Sequence, residues 1–325
     1  MNRLHRLYFV FCGFAFLLAF ALNAAANDAI DIEYAEIQPL AAHSLLLDVA
    51  RIGDRLVAVG ERGHILYSDD EGEQWAQADV VPTRSTINKV FVLGDRIWAA
   101  GHDSVILTSG DRGKTWTREY FAPERMQPIM DVYFSDPNQG LAIGAYGLMM
   151  QTQDGGITWE DSAVNDEDDY HLNALLTWPD GRYIIAGEAG YSYRSFDTGQ
   201  TWQSMDMPYL GSMFGAVVTD EDCVLFFGLR GHIQKSCDFG ESWEELETGS
   251  ETTLADAVVY QGKVLMVGNS GVLLEWNGDG GFTEYQHSSG VDFAGVIHLG
   301  NGRFLLVGEE GVHFYPEKRT EEESG

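Results

Sequence analysis

The sequence predicts an all-β protein, a seven-bladed β-propeller, from three observations. The composition has 37 Gly and only 22% charged residues, which favours short strands and tight turns over long helices. A Gly-x-x-Gly motif returns about every 42 residues, and a second motif, S/T-x-D-x-G-x-x-W, follows most copies. Seven small antiparallel sheets around one axis explain this period, because a ring leaves few sheet edges exposed.

The composition also excludes several classes of protein. The 325 residues are 45% hydrophobic and 12% aromatic, so neither a disordered chain nor a small disulfide-stapled domain fits. The formal net charge of −30 repels phosphate backbones and anionic lipid headgroups. We therefore expect no nucleic acid among the partners.

The first segment has the features of a secretory signal peptide. Residues 1–6 carry two Arg, 7–22 form an uncharged run, and 24–26 are small residues that precede a cleavage point at Asn27. The run is shorter than the roughly 20 apolar residues of a spanning helix, and Cys12 lacks the surroundings of a lipidation signal. We predict a signal peptide over 1–26 and a soluble mature chain of formal charge −32 in a bacterial periplasm.

Each Gly-x-x-Gly motif joins two short runs of β-branched and aromatic residues, such as 56–59 and 64–67. Because Gly readily adopts the positive φ angles of tight hairpins, we interpret the motif as the turn between the second and third strands of a blade. The second copy ends in Ser104 instead of Gly. The seven copies begin at Gly60, Gly101, Gly144, Gly187, Gly228, Gly268 and Gly308.

The second motif is an Asp box, and it follows the first five hairpins. Its Asp and Ser or Thr side chains can bond to the backbone of their own turn, while its Trp can bury against the hairpin. We therefore interpret the boxes as structural and not as catalytic. Their Asp and Trp residues are Asp70 and Trp75, Asp111 and Trp116, Asp154 and Trp159, Asp197 and Trp202, and Asp238 and Trp243.

The ends of the repeat predict how the ring closes. The seventh repeat stops one strand short, and the alternating run at 30–34 belongs to no other hairpin. We expect this run to form the outer strand of blade seven. The propeller then covers 27–315, and the Glu-rich segment 316–325 is predicted to be a disordered tail.

Two cysteines of the mature chain, Cys223 and Cys237, flank the fifth hairpin. Export would allow a disulfide. A four-residue turn places Cys223 opposite Ser236 and leaves two free thiols, whereas a one-residue bulge places it opposite Cys237. The sequence leaves both arrangements open.

The candidate binding surface is the face that carries the Gly-x-x-Gly turns, because the loops entering the inner strands meet there as well. We expect the inner strands to line a central channel, either as a binding site or as a solvated channel mouth. The predicted channel residues are Asp48, Lys89, Asp131, Ala174, Gly215, Asp256 and Gly295. The predicted turn residues are Glu61, Arg62, His102, Asp103, Tyr146, Glu188, Arg230, Glu309 and Glu310.

Long loops on this face carry apolar residues, among them Phe121, Met126, Tyr209, Leu210 and Phe214. They could form a partner-binding patch or pack within the loops. The acidic run at 165–170 could attract Ca²⁺ but lacks the spacing of a calcium loop, so a solvated loop is the alternative. No pattern for another metal, a cofactor or a catalytic nucleophile occurs, and we expect none.

The hairpin followed by an Asp box, repeated from about 44 to 315, resembles the photosystem II stability/assembly factor family, a group of exported seven-bladed propellers. The segments 130–134 and 147–159 are similar to that family's repeat. The resemblance implies a non-enzymatic, monomeric accessory or assembly factor that binds a membrane protein complex. That complex would be a photosystem or an envelope transporter.

An alternative of another class is a sialidase-like glycoside hydrolase, because Asp boxes also occur in such enzymes. That chemistry needs several Arg that converge on a substrate carboxylate, together with a Tyr nucleophile and a Glu partner. Tyr146 and Glu188 lie in neighbouring turns, but only Arg62 and Arg230 occupy equivalent turns. Three Arg at the channel mouth would favour the enzyme.

Overall fold

A computed structural model describes residues 32–165, 169–278 and 281–317. The predicted signal peptide and the end of the predicted tail lie outside these residues. The described chain forms seven antiparallel sheets, six of four strands and one of three, which confirms the seven-bladed propeller. Within the described residues no helix is long and apolar enough to cross a bilayer.

The strands follow one another in each blade from the channel outward. Blades one to four contain β1 (Leu46–Ile52), β2 (Arg55–Gly60), β3 (Ile65–Ser68) and β4 (Ala76–Gln77); β5 (Ile87–Leu93), β6 (Arg96–Gly101), β7 (Ile106–Ser109) and β8 (Thr117–Tyr120); β9 (Ile129–Phe134), β10 (Gly140–Gly144), β11 (Met149–Thr152) and β12 (Glu160–Ser162); and β13 (Leu172–Thr177), β14 (Tyr183–Gly187), β15 (Ser192–Ser195) and β16 (Gln203–Ser204). Blades five to seven contain β17 (Met213–Val218), β18 (Val224–Gly228), β19 (Ile233–Ser236) and β20 (Glu244–Leu246); β21 (Leu254–Tyr260), β22 (Lys263–Gly268), β23 (Val272–Trp276) and β24 (Phe282–Gln286); and β25 (Phe293–Gly300), β26 (Arg303–Gly308) and β27 (Gly311–Tyr315).

The first glycine of the Gly-x-x-Gly turns was predicted to provide a positive φ angle, but the structure gives it another role. Gly60 is extended, and a Cβ there would lie 2.1 Å from the Leu45 carbonyl oxygen, so the glycine allows close approach to the inner strand. Positive φ occurs instead at the third position, for example at Arg62, and at Gly63. In blades one to six, three residues of each turn form a single 3₁₀ turn: Glu61–Gly63, His102–Ser104, Ala145–Gly147, Glu188–Gly190, Leu229–Gly231 and Asn269–Gly271.

Two further 3₁₀ turns, Ala41–His43 and Pro123–Arg125, lie in loops.

A hydrophobic cluster fills each of the seven interfaces between neighbouring blades. The second strand of each blade is buried on both sides, as in β2 with Leu56 and Val57. Burial of one such side chain contributes about 2–3 kcal/mol of gross stabilisation, so the blade interfaces hold the ring together.

Ring closure by an N-terminal strand is not confirmed. Residues 30 and 31 lie outside the described part, and 32–34 form no strand. The next residues are bound to blade one: Ala35 N–H donates to Val81 O at 2.9 Å, and Gln77 Nε2 donates to Glu36 O at 2.8 Å. Blade seven closes the ring by packing, because Leu305 and Val307 lie in the same buried cluster as Leu46 and Leu56.

The predicted tail begins with a contact in its described part. The Glu317 carboxylate accepts hydrogen bonds from the Ser288 N–H at 2.8 Å and the Ser288 hydroxyl at 2.6 Å.

The fifth hairpin resolves the arrangement of the two cysteines. Gly228 N–H donates to His232 O, and Val224 lies opposite Ser236, so the connection is one residue longer than a four-residue turn. This register places Cys223 opposite Cys237, and a disulfide joins them.

Candidate functional site

The inner strands surround a channel cavity of about 730 Å³. Six of the seven predicted residues line it: Asp48, Lys89, Asp131, Ala174, Gly215 and Asp256. Gly295 is not among the lining residues, and the neighbouring Ala294 lines the cavity in blade seven. Six of the seven predicted positions thus border this cavity, and their role in binding stays a prediction.

Every inner strand contains a register shift near its start, for example between Leu46 and Asp48. Such a bulge turns two consecutive side chains toward the same side. The extra channel residues were missed in the sequence, although they occupy one column of the repeat: Leu47, Asn88, Met130, Asn173, Phe214, Ala255 and Ala294.

The channel carboxylates connect neighbouring blades. Asp48 Oδ2 accepts the Val90 N–H at 2.9 Å, Asp131 Oδ2 accepts the Leu175 N–H at 2.9 Å, and Asp256 Oδ2 accepts the Val296 N–H at 2.8 Å. Asn88 and Asn173 donate to backbone carbonyls of the following blades in the same way. These side chains are therefore structural links as well as channel residues.

The channel contains three carboxylates and one ammonium group. Lys89 Nζ lies 3.4 Å from Asp48 Oδ2, and the charge of Asp48, with smaller effects of Asp131 and Asp256, raises the pKa of Lys89. Burial raises the pKa of Asp131 and raises that of Asp256 to about 6, although Lys89 opposes both changes. The channel thus carries an excess of negative charge.

The predicted turn residues lie in the turns but do not converge. In each blade the residue after the first glycine donates its backbone N–H to a carbonyl oxygen at 2.8–3.1 Å. The acceptor is the residue immediately before the inner strand of the same blade. This bond repeats at Glu61, His102, Ala145, Glu188, Leu229, Asn269 and Glu309.

The side chains of Arg62, His102, Arg230 and Glu309 are exposed at separate points around the ring.

Tyr146 and Glu188 both contact His171, a residue that was not predicted from the sequence. The Tyr146 ring packs edge-on against the His171 ring, with centroids 4.8 Å apart. The His171 N–H donates to Glu188 Oε2 at 3.1 Å. His171 also lines the channel, so this group lies at the channel mouth.

An exposed apolar surface surrounds this group on blades three to five. Tyr170 stacks on Tyr191 with centroids 3.6 Å apart, and Tyr209 stacks on His232 at 3.9 Å. We call this surface the turn-face patch, and its members are Tyr146, Tyr170, Tyr191, Tyr209, Leu210 and Phe214. Their exposed fractions reach 56% for Tyr146, 37% for Tyr191, 79% for Leu210 and 40% for Phe214.

The two apolar side chains singled out in the long loop predicted at 119–130 differ in exposure: one packs inside the protein and the other is exposed. Phe121 packs against a blade interface and under the Arg118 guanidinium, 4.4 Å from its ring centroid. Met126 is 78% exposed at the edge of the patch. Arg125 Nη2 pairs with Asp161 Oδ1 at 2.8 Å.

The acidic run at 165–170 falls partly outside the described residues. Among the described residues no group of His, Cys, Asp or Glu is arranged to hold a metal ion.

The opposite face carries the Asp boxes, whose Asp and Ser or Thr side chains form hydrogen bonds within their own turns. In the first box Ser68 Oγ donates to Asp70 Oδ1 at 2.8 Å, Gln74 N–H donates to Asp70 Oδ1 at 2.9 Å, and Trp75 Nε1 donates to Gly72 O at 2.9 Å. The two bonds to the Asp carboxylate, one from the Ser or Thr hydroxyl and one from a backbone N–H, recur in the boxes of Asp111, Asp154, Asp197 and Asp238. In the third box, hydrogen bonds led by the Thr158 hydroxyl lower the pKa of Asp154 to about 2.

The five box tryptophans differ in burial. Trp116 is nearly fully buried, whereas Trp75, Trp159, Trp202 and Trp243 are partly buried against their clusters.

Arginines on this face connect three of the five boxes to the preceding blade. Arg55 donates to Arg112 O at 3.0 Å, Arg96 to Gly155 O at 3.1 Å and Arg194 to Phe239 O at 3.1 Å. This use was not predicted from the sequence, although Arg55, Arg96 and Arg303 all begin the second strand of a blade. Arg55, Arg96 and Arg194 therefore link blades within the fold.

Part of the chain is similar in sequence to known proteins. Residues 122–246 match the family described as photosynthesis system II assembly factor YCF48. The photosystem II assembly lipoprotein Ycf48 of Synechococcus sp. (strain CC9902) is 29% identical over 131 residues, which are 39% of each chain. The match thus spans about two fifths of the length of that curated relative. The resemblance predicted from the repeats is confirmed.

Solved structures share the fold over nearly the whole ring. YCF48 bound to D1 peptide is 19% identical with a TM-score of 0.69, covering 87% of this chain and 96% of that one. YCF48 from Cyanidioschyzon merolae is 17% identical with a TM-score of 0.66, covering 87% and 97%. Virginiamycin B lyase from Staphylococcus aureus is 9% identical with a TM-score of 0.73, covering 86% and 97%. At these identities the likeness concerns the fold, which binding proteins and enzymes share.

Proposed function

We propose that this chain, whose repeats resemble the photosystem II assembly factor family, is a non-enzymatic extracytoplasmic scaffold. It would bind a membrane protein complex and assist its assembly or stability, with a photosystem or an envelope transporter as the client. The turn-face patch would be the binding surface, and the chain would act as a monomer.

The observation that supports this proposal most directly is the turn-face patch itself. Exposed aromatic and aliphatic side chains gathered on one surface are typical of protein-binding sites. All members of the patch fall within residues 122–246, the segment that matches the family. YCF48, a propeller of the same fold, has been solved with a D1 peptide bound, so a ring of this kind can hold a peptide.

The arrangement of charges favours a binding protein over a sialidase-like hydrolase. Among the described residues the channel cavity is lined by Lys89 and by no arginine. Tyr146 and Glu188 meet only through His171, while Arg62 and Arg230 lie in the turns of blades one and five. A substrate carboxylate would therefore meet acidic side chains in the channel instead of a cluster of arginines.

An extracytoplasmic location agrees with two features of the chain. The predicted signal peptide at 1–26 would direct export. The Cys223–Cys237 disulfide is of the kind that persists in an oxidising compartment. These features support the proposal of a periplasmic location, and the curated relative is itself described as a lipoprotein.

Affinity capture from detergent-solubilised membranes of the source organism tests the proposal. The mature chain and two variants, Tyr191→Ser and Phe196→Ser, would serve as bait, with bound proteins identified by mass spectrometry. Tyr191 precedes β15 and Phe196 follows it, so two exposed aromatic residues at opposite ends of one strand are compared.

We expect the wild type and Phe196→Ser to retain one membrane complex and Tyr191→Ser to lose most of it. The identity of the complex would distinguish a photosystem from a transporter. Capture of no complex, combined with turnover of a sialic acid glycoside, would contradict the proposal.

A further inference from the structure

The charges around the turn-face patch suggest what kind of segment it accepts. Glu188 borders the patch beside Tyr146 and His171, and Glu245 Oε1 lies 2.5 Å from His232 Nδ1 beneath Tyr209. Both carboxylates keep about two fifths of their side-chain exposure, at 40% for Glu188 and 43% for Glu245. A bound segment would therefore meet negative charge on two sides of the rings.

The cations near the patch do not balance this charge. Arg125 is paired with Asp161. Lys89, inside the channel, pairs with Asp48, and the charges of Asp131 and Asp256 also act on it. Arg230 remains exposed at the edge near Tyr209. The patch and the adjoining channel are thus negative as a whole, within a mature chain of formal charge −32.

The patch is continuous with the negative channel. Phe214 belongs to the patch and lines the channel, and His171, which contacts Tyr146 of the patch, lines the channel as well. Aromatic ring faces attract ammonium and guanidinium groups, and this attraction adds to that of nearby carboxylates. Anionic lipid headgroups would be repelled by the same charges, so membrane insertion does not explain the exposed rings.

We propose that the turn-face patch binds an extended, positively charged segment of its partner protein. The apolar side chains of the segment lie on the tyrosine pairs and Phe214, and its Lys or Arg side chains face Glu188 and the channel mouth. This inference rests on the proposed function and specifies the chemistry of the partner.

Fluorescence anisotropy with a defined probe tests the inference on the mature chain. The probe is a short capped peptide in which lysines alternate with leucine and tyrosine, carrying an uncharged dye. The comparison peptide has every lysine replaced by glutamate. The variants are Glu188→Gln at the patch and Glu310→Gln in the turn of blade seven, which removes the same charge from the same face away from the patch.

We expect the lysine peptide to bind and the glutamate peptide not to bind. Glu188→Gln and Tyr191→Ser should each weaken the lysine peptide about fivefold, whereas Glu310→Gln and Phe196→Ser should change its affinity less than about twofold. Equal losses from Glu188→Gln and Glu310→Gln would show a general attraction to an acidic chain and would overturn the inference. Patch-dependent binding to vesicles containing anionic phospholipid would also overturn it.

A competition experiment separates this inference from the proposed function. The lysine peptide should release a membrane complex captured by the wild-type chain, while the glutamate peptide should not. If the complex is captured through the patch and the lysine peptide does not compete, the scaffold function stands and the charge inference fails. If the lysine peptide binds at the patch but no complex is captured, the scaffold function fails instead.

Discussion

The two faces of the ring differ in how their polar and aromatic groups are used. On the Asp-box face, Ser68 and Asp70 bond to their own turn, and the same bonds recur in four more blades. On the turn face, only the backbone bond of each turn recurs, and the side chains differ from blade to blade. Residues that repeat therefore hold the fold, and residues that break the repeat are free to bind.

The same contrast appears for single aromatic residues. Trp116 is 4% exposed and donates from Nε1 to Gly113 O, whereas Tyr191 is 37% exposed and stacks on Tyr170. The largest expected effect concerns this pair. Trp116→Ala should lower the free energy of unfolding by about 3–5 kcal/mol, because it leaves a cavity between blades one and two.

Tyr191→Ala is the matched control and should lower the free energy of unfolding by less than about 1 kcal/mol, since its side chain is partly exposed and belongs to none of the blade-interface clusters. Urea denaturation followed by circular dichroism measures both variants. Equal losses would contradict the division between the two faces.

The channel gives an expected effect of pH. Burial raises the pKa of Asp256 to about 6, above the value of about 4 of an unfolded Asp. Between these values the native state binds more protons, so the stabilisation from this group is present below about pH 4 and is lost as the pH rises through 6. Between about pH 4 and pH 7, the unfolding free energy of the wild type should therefore fall by about 1–2 kcal/mol relative to that of Asp256→Asn.

Taking the difference from Asp256→Asn removes the effect of the box carboxylates, whose pKa values are lowered and which lose stabilisation in acid. A difference that does not change with pH would show that Asp256 ionises normally in the channel.

Asp131 tests whether a channel residue is structural. Its carboxylate accepts the Val132 and Leu175 N–H groups, at 2.8 and 2.9 Å. Asp131→Ala should therefore lower the free energy of unfolding by about 1 kcal/mol, while Asp131→Asn, which keeps an acceptor, should lower it by less. Thermal denaturation distinguishes the two, and an unchanged melting temperature for Asp131→Ala would mean that channel water replaces both bonds.

The smallest expected effect on stability comes from Tyr146, which has a positive φ of 55°. Tyr146→Gly relieves this backbone strain but loses the contact with His171, so stability should change by less than about 0.5 kcal/mol. Capture of the membrane complex should nevertheless fall several-fold, because the exposed ring is lost. A variant that keeps full capture would remove Tyr146 from the binding surface.

The sequence was sufficient for the features that repeat. The seven hairpins, the Asp boxes and six of the channel residues follow from positions in one period of about 42 residues. It also singled out Tyr209, Leu210 and Phe214, either for a partner-binding patch or for packing within the loops, since long apolar loops on one face interrupt the repeat.

The sequence could not show features that depend on strand register. One bulge per inner strand adds Asn88, Asn173 and Phe214 to the channel, and a one-residue longer hairpin pairs Cys223 with Cys237. The N-terminal segment alternates as a strand would, yet Ala35 is held by Val81 of the chain that follows blade one. Local pattern does not decide which of two edges a segment joins.

Photo-crosslinking at one position on each face tests the central claim most directly. A photoreactive amino acid would replace Tyr191 in one sample and Phe196 in another, and each protein would be irradiated with membranes of the source organism. The account predicts a crosslinked membrane subunit from position 191 and none from position 196. A subunit crosslinked from position 196 alone would contradict the assignment of binding to the turn face.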